Sequence, residues 1–454
     1  MISATCRHYF GSKYFFSHLN VLPRWFSSHT ESPQSSSQSA SIRCLYDIAI
    51  VGGGIVGVAT ARELSLRHPD LKLIILEKEN DLGQHQSKNN SGVIHSGIYY
   101  PPGSLKAKLC VQGAKKIYRY LAEKGIEHKK IGKLVVAVEN NELFRLEKLF
   151  ERAKASKVPG IEMVEERDIP QYQPHVRGLR ALYSPTTGIV DWSVVVRSFA
   201  KDFRDNNGEI MPGFRVENFK YIDSGENSRV RLRSKSGIEI DAKFVVTAAG
   251  LHSDRIAAMT GCSPHPKIVP FRGEYFLLSP QKESLFSKTN VYPVPDPRLP
   301  FLGVHFTPRL DGSVWVGPNA VLATKREGYS PKDIDLRDIL ESITNPGLLK
   351  LGLKYFREGL QEIHRSISIE AQLKVLRKYF PDLNAEDLVK GPSGVRAQAL
   401  DPNGNLVEDF VFDSGSGPFQ NHCLHVRNAP SPGATSSLAI AEMIAEQVDR
   451  RLFK

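Results

Sequence analysis

Six positions in this chain have the type and spacing to hold a nucleotide or move a proton. Gly52, Gly54 and Gly57 directly follow the apolar run Ile48–Val51, and Glu77 stands twenty residues after the third glycine. That spacing suits a dinucleotide. Gly52 allows a tight turn, Gly54 lets the backbone approach a pyrophosphate, and Gly57 lets a helix pack closely on its strand. Glu77 is placed to accept hydrogen bonds from ribose hydroxyls. His95 and His305 are candidate proton acceptors, since imidazole is neutral near pH 7. For His95 a role at the site is favoured over that of a hydrogen-bonded structural residue. His305 shares a strand face with Gly303 and Thr307, and is either a base or a buried, satisfied side chain.

The elements around the glycines agree with this reading. Ile48–Val51 reads as a buried parallel strand, Val58–Leu66 as a helix, and Leu71–Leu76 as a second strand, which completes a βαβ unit. Further on, Leu105–Lys124 reads as a helix, Lys133–Val138 as a strand, and Val194–Asn206 as a helix. A strand meander covers Phe214–Ile240, and the buried strand beginning at Lys243 ends on Gly250. Val269–Leu278, Phe301–Thr307 and Ser313–Pro318 read as strands of a mostly antiparallel sheet, with Asp311-Gly312 as a hairpin turn. Lys332–Tyr379 is largely helical, and Leu424–Val426 is a short strand. A Pro/Gly loop and a last helix from about Thr435 follow it. This gives an α/β chain with a discontinuous nucleotide-binding domain at 44–130, 188–264 and 391–454. A substrate domain takes 131–187 and 265–390.

The chain has 454 residues, 41% hydrophobic and 24% charged, as expected of a globular protein. No run of eighteen apolar residues is present to span a membrane. Up to Thr30 there is no Asp or Glu, while Arg7, Lys13 and Arg24 alternate with aromatic and hydroxyl residues. An Arg- and Ser-rich, acid-poor leader reads as a mitochondrial transit segment, residues 1–41. The net charge is +11, of which residues 1–43 carry +3. The remaining positive charge is interspersed, which suits an anionic substrate and gives no sign of nucleic-acid binding. Five scattered cysteines without a Cys-x-x-Cys pair provide neither a disulfide framework nor a metal site.

A βαβ unit alone does not separate NAD from FAD. Three features favour FAD: a single fingerprint, the strand returning to Gly250, and the C-terminal strand–loop–helix. The last brings a helix N-terminus near Gly433 and Thr435, where it can stabilise the negative edge of a reduced flavin. At this point the chain resembles the FAD-dependent D-amino-acid-oxidase-like oxidoreductases. The resemblance is carried by Val51–Gly57, Asn90–Gly97, Thr247–Gly250, Pro270–Tyr275 and Gly391–Gln398. Longer runs, Asn90–Tyr100, Ser104–Gly113, Pro300–Pro308 and Gly394–Asp401, look like the mitochondrial members that oxidise a short 2-hydroxy diacid.

The resemblance implies a glutathione-reductase-type FAD domain beside a mixed, mostly antiparallel substrate domain. It implies oxidation of (S)-2-hydroxyglutarate to 2-oxoglutarate, with electrons passed to the ubiquinone pool or another electron-transfer carrier. Ser91, Gly92, Gly250, Gly433 and Thr435 would then join the glycine loop around FAD. A C5 diacid needs two cationic anchors. Arg396 is favoured for one, against a structural ion pair, because arginine grips a carboxylate bidentately. Arg272 and Lys325-Arg326 are weaker candidates for the other. Tyr99 and Tyr275 could donate to a carboxylate or simply pack. A basic, apolar-faced helix at Leu348–Arg357 would suit peripheral contact with the inner mitochondrial membrane, or packing on the protein's own core. An amine-oxidising relative of the glycine or sarcosine oxidase type is the alternative.

Overall fold

The computed structural model describes residues 45–286, 288–298 and 302–453. The targeting segment expected at 1–41 lies outside them. Strand Leu45–Val51 has a parallel neighbour on each side, Leu73–Leu76 and Glu239–Thr247. The sheet continues in parallel through Glu209–Met211 beyond one neighbour and through Cys423–Asn428 beyond the other. Ile48 and Ile50 point to one face and Ala49 and Val51 to the other, and both faces are buried. That explains a continuous apolar run rather than an alternating one.

Helices Ile55–Arg67, Leu105–Glu123, Trp192–Asp205 and Ser437–Leu452 cover the Ile48 face. Residues of the meander Val216–Ile222 and Arg229–Ser234 join the core on the Ala49 face. The last strand is fastened by His425, which is fully buried. Its two ring nitrogens meet the hydroxyls of Thr247 and Thr260 at 2.9 and 2.7 Å.

A second, nine-stranded sheet is built from Lys133–Ala137, Glu162–Glu165, Arg180–Ser184, Lys267–Leu278 and later strands. It is antiparallel throughout except where Lys133–Ala137 runs parallel to Asn290–Pro293. His305–Pro308 and Val314–Gly317 form the expected hairpin. Both sheets lie within one compact unit, residues 43–454.

Two expectations need correction. The stretch around Arg396 is not a loop of the nucleotide region. Leu388–Leu400 is a strand of the second sheet, paired from Lys267↔Leu400 to Leu278↔Leu388, so the boundary drawn at 391 falls inside it. Gly391 and Gly394 mimic a loop signal, but they serve close packing. A side chain at Gly391 would meet the Tyr275 carbonyl oxygen at 2.8 Å, and one at Gly394 would strike that of Asn89. The expected helix Leu348–Arg357 is also interrupted at Tyr355, giving Pro346–Lys354 and Phe356–Ile367. Leu351 packs with Val269 and Leu400, while Leu349, Leu353 and Phe356 stay exposed. The second of these helices has no buried residue, and Leu353 is 80% exposed.

Candidate active site

The glycine turn opens into a single cavity of about 1540 Å³. Gly52 takes φ +112°, a conformation that strongly favours glycine, and its backbone lies against Ala248. Gly57 faces the Gly52 carbonyl so closely that no Cβ fits. Gly54 differs: the nearest atom to a Cβ there is the Ser87 hydroxyl oxygen at 3.4 Å, so its open side faces the cavity. Glu77 is buried and holds the turn, accepting from the Gly53 and Glu79 amides at 2.6 and 2.8 Å. It also lines the cavity beside the turn. The first amide of the following helix, Ile55 N–H, donates to Ser87 Oγ at 2.9 Å. A helix N-terminus, an uncrowded glycine and a hydroxyl thus converge where an anionic pyrophosphate fits.

The polar loop after Glu77 is fixed by its own side chains. Asn90 receives the Gly92 amide at 2.8 Å and donates to the carbonyls of Gln86 and Ser87. Gln86 accepts the Ala397 amide at 2.9 Å, which ties the loop to the strand carrying Arg396. At the loop's far end the His95 amide donates to the Thr435 hydroxyl at 3.0 Å. Thr435 and Gly433 come from the segment that leads into the last helix. The His95 ring lines the cavity, and its Nδ1 is buried without a partner. Burial, then the Lys133 charge, the coupling to His305 and the Arg396 charge, holds His95 well below the usual imidazole range.

His305 is buried on the second sheet and also lines the cavity. Its Nδ1 lies 3.1 Å from the Gly303 carbonyl oxygen, so Nδ1 carries the proton and Nε2 is the lone-pair nitrogen. The ring stacks on Tyr292 with centroids 4.0 Å apart. Burial above all, with Arg396 and Lys133 adding to it, lowers His305 to about 3, against a partial offset from the Gly303 hydrogen bond. Arg396, half-buried, lines the same cavity and hydrogen-bonds Tyr275. The Tyr99 hydroxyl is buried there without a partner.

One cavity therefore brings together Gly52, Gly54, Glu77, Ser91, His95, Tyr99, Gly250, Tyr275, His305, Arg396, Gly433 and Thr435. Three candidates lie outside its lining. Gly57 serves packing alone. Gly92 takes φ +74° and leaves room for the Arg309 guanidinium, which donates to the Asn90 carbonyl at 3.1 Å. Arg272 is committed to Glu274 at 3.0 Å and is not placed to anchor a substrate. Arg326 reaches the lining, but its guanidinium is consumed by Asp254, Glu341 and the Leu251 carbonyl.

Sequence reasoning missed Ser87, Gln86, Tyr292 and Lys133. Ser87 and Gln86 sit in a stretch that reads only as polar loop. Lys133, at the head of a strand, reads as an ordinary solvated end. Glu79, His85 and Glu327 also bring three ligand-type atoms within 4.8 Å of one another. Lys78 sits among them, 2.8 Å from both Glu327 and His85, and supplies the positive charge.

A parallel sheet with a glycine turn at a helix N-terminus, joined to an antiparallel sheet across one shared cavity, defines a flavoprotein-type dinucleotide-binding oxidoreductase. The profile of the family described as FAD dependent oxidoreductase matches residues 47–447, and the chain belongs to that family. It is 51% identical over 433 residues to the human protein named L-2-hydroxyglutarate dehydrogenase, mitochondrial, with 94% of this chain and 93% of that one covered. The protein of the same name from Nematostella vectensis is 54% identical, with 89% of this chain and 91% of that one covered. Among solved structures, dithionite-reduced L-alpha-glycerophosphate oxidase from Mycoplasma pneumoniae with FAD bound superposes with a TM-score of 0.71 at 24% identity, covering 90% of this chain and 95% of that one. Glycine oxidase from Geobacillus kaustophilus gives 0.63 at 20% identity, covering 90% and 95%. These two likenesses speak to the fold.

Proposed function

We propose that this chain oxidises (S)-2-hydroxyglutarate to 2-oxoglutarate in the mitochondrion. The observation that carries the reading is that Arg396 and an oriented, neutral His305 line the cavity that the Gly54 turn opens into. Relatives about half identical over nearly the whole chain carry the matching name. The cavity exceeds the roughly 300–1,000 Å³ of an ordinary small-molecule pocket, which suits a dinucleotide and a substrate held together. FAD, when bound, supplies the hydride acceptor, flavin N5, for the hydrogen on the substrate C2.

The chain's own residues do the rest. The Ser87 hydroxyl, held by the Ile55 amide at the helix N-terminus, donates to the pyrophosphate beside Gly54. Arg396, steadied by Tyr275, binds a carboxylate and fixes C2. His305 Nε2 takes the hydroxyl proton as the C–H bond breaks, and the Gly303 contact keeps Nδ1–H in place while it does so. His95 is the second candidate for that proton. Tyr99 is placed to donate to the other carboxylate. Anaerobic addition of each 2-hydroxyglutarate enantiomer, read at the flavin band, tests the reading. Bleaching by the S enantiomer alone is expected, and bleaching by glycine or sarcosine instead would sink it.

The exposed helices suggest where electrons go next. Leu336, Leu340, Leu353, Phe356, Leu360 and Ile367 are all solvent-exposed on three successive helices, with Arg337, Lys350, Lys354 and Arg357 exposed among them. Apolar exposure on this scale marks an interaction surface, and the basic residues suit an anionic bilayer rather than a second basic copy of the chain. No helix among the described residues is long and apolar enough to cross a membrane. We assign this surface to peripheral contact with the matrix face of the inner membrane, where a lipid-dissolved quinone can accept electrons. Leu353→Glu with Ile367→Glu should abolish co-sedimentation with phosphatidylcholine/phosphatidylglycerol vesicles and leave dye-coupled activity intact. Undiminished vesicle binding, or a change of oligomeric state in its place, would refute the assignment.

A further inference from the structure

Lys133 is one of the largest fully buried side chains in the protein, 1% exposed. It begins the strand Lys133–Ala137, where it pairs with Asn290 on one side and Ser184 on the other. Its ammonium lies 3.9 Å from the Tyr292 ring centroid and 5.1 Å from that of Tyr99. Tyr292 in turn stacks on His305 at 4.0 Å, so Nζ lies within about 8 Å of the imidazole centroid. The hydroxyls of Tyr292 and Tyr99 are both buried, the former facing the hydroxyls of Thr307 and Ser91. Among the described residues, the titratable and charged groups around Lys133 and the two histidines are these two tyrosines, Cys110, His95, His305 and Arg396, with no carboxylate acting on Lys133.

A buried ammonium without a counter-ion is destabilising, and ring faces offset only part of the lost hydration. Burial lowers Lys133 to about 7 from 10.5. Between those values the unfolded chain holds a proton that the folded chain has released. The burial penalty is therefore full below about pH 7 and fades as pH rises toward 10.5. Methionine would fill the same space without that cost. A residue kept against stability beside a reaction site points to function.

We infer that Lys133 is a positioning residue for the proton-accepting histidine, acting on His305 through the Tyr292 ring, and that it is retained for this role at the expense of stability. The inference rests on the reaction proposed above and on His305 as its base. The ammonium lies against the Tyr292 ring, Tyr292 stacks on the imidazole plane, and the positive charge disfavours imidazolium until a dianionic substrate arrives. A unit charge at about 8 Å, at an effective dielectric near 20, interacts by about 2 kcal/mol and so moves an imidazole by about 1.5 pH units.

The test uses the FAD-loaded enzyme and reads the limiting rate of flavin reduction against pH, together with the thermal midpoint. In Lys133→Met the acidic limb should move up by about 1.5 pH units and the midpoint at pH 7 should rise. Lys133→Arg keeps the charge and should keep the limb near its wild-type position. In a Tyr292→Leu background, Lys133→Met should move the limb less than half as far. An unmoved limb in Lys133→Met, the same limb shift in Lys133→Arg as in Lys133→Met, or a Lys133→Met protein that is less stable or fails to fold overturns the inference. His305→Asn separates the two levels. A limb that survives His305→Asn removes the base assignment and this inference with it. A limb lost in His305→Asn but unmoved in Lys133→Met removes only the role of Lys133.

Discussion

Gly54 and Gly57 sit three residues apart in one turn, yet the same substitution should fail in opposite ways. In Gly57→Ala the new methyl must sit closer than 3.0 Å to the Gly52 carbonyl. Gly52 cannot retreat, because its amide donates to the Leu76 carbonyl at 2.9 Å and its own backbone abuts Ala248. Overpacking of a rigid core costs about 1–3 kcal/mol or more, and here it should fall on the apoprotein as well as the holoprotein. In Gly54→Ala the methyl meets only Ser87 Oγ, at 3.4 Å. The backbone there has φ −74° and ψ 172°, which alanine adopts freely. The apoprotein should therefore be unharmed, or stabilised by about 0.4–1 kcal/mol through the unfolded chain. The methyl does occupy the side on which the pyrophosphate must approach. Each tenfold loss of FAD affinity removes about 1.4 kcal/mol of ligand-linked stability. The assay is the flavin-to-protein absorbance ratio and the thermal midpoint with and without added FAD. Gly57→Ala should melt low in both conditions. Gly54→Ala should melt like wild-type apoprotein and gain little from FAD. Wild-type flavin content in Gly54→Ala, or an apoprotein as damaged as that of Gly57→Ala, would refute this account of the turn.

Other outcomes follow from the same geometry. Arg396→Ala should cost about 2–5 kcal/mol in kcat/KM and leave FAD content near normal, while Arg396→Lys should rescue poorly because one ammonium cannot form a fork. Free-enzyme His305 is lowered to about 3, chiefly by burial and then by Arg396 and Lys133. A bound dianion offsets those two charges, so the acidic limb of limiting flavin reduction should lie at higher pH than that of kcat/KM. Coincident limbs would count against His305 as base. Asp254→Asn leaves the buried Arg326 guanidinium without its carboxylate and should cost about 3–5 kcal/mol in urea unfolding. Asp254 is held below its usual 3.8 by Arg326, against the opposing effect of burial. The pair's stabilisation is thus present above that value and lost as pH falls through the lower, folded one.

The glycine turn was legible because its signals are local: strand, turn, helix and acid lie within thirty residues, and each residue's reason is visible in its neighbours. Arg396 was legible by type but not by setting. Gly391 and Gly394 read as loop because the carbonyls they make room for, those of Tyr275 and Asn89, are remote in sequence. Arg272 looked like an anchor because nothing local shows that Glu274, two residues on, folds back to bind it. Ser87 carries no periodicity, and Lys133 resembles any strand-end lysine until Tyr99 and Tyr292 enclose it. The helical character of 332–379 and the amphipathic pattern of Leu348–Arg357 were readable. Which face meets water is decided by tertiary packing, and in Phe356–Ile367 the polar side with Glu362 turns to the protein while Phe356, Leu360 and Ile367 meet water.

The position of Cys423–Asn428 also sets a timetable. This strand lies alongside Glu239–Thr247, inside the parallel sheet, and is locked there by His425 between Thr247 and Thr260. A chain delivered N-terminus first has the glycine turn in place long before this strand arrives. Until then the flank of the Glu239–Thr247 strand stays open, and contacts this distant in sequence close slowly. The same final segment brings Thr435 to the His95 amide. A nascent chain can thus begin to recognise the nucleotide half of its cofactor early and enclose the flavin half only at the end. Loss of a few dozen C-terminal residues should leave a protein that never retains colour, however intact its fingerprint.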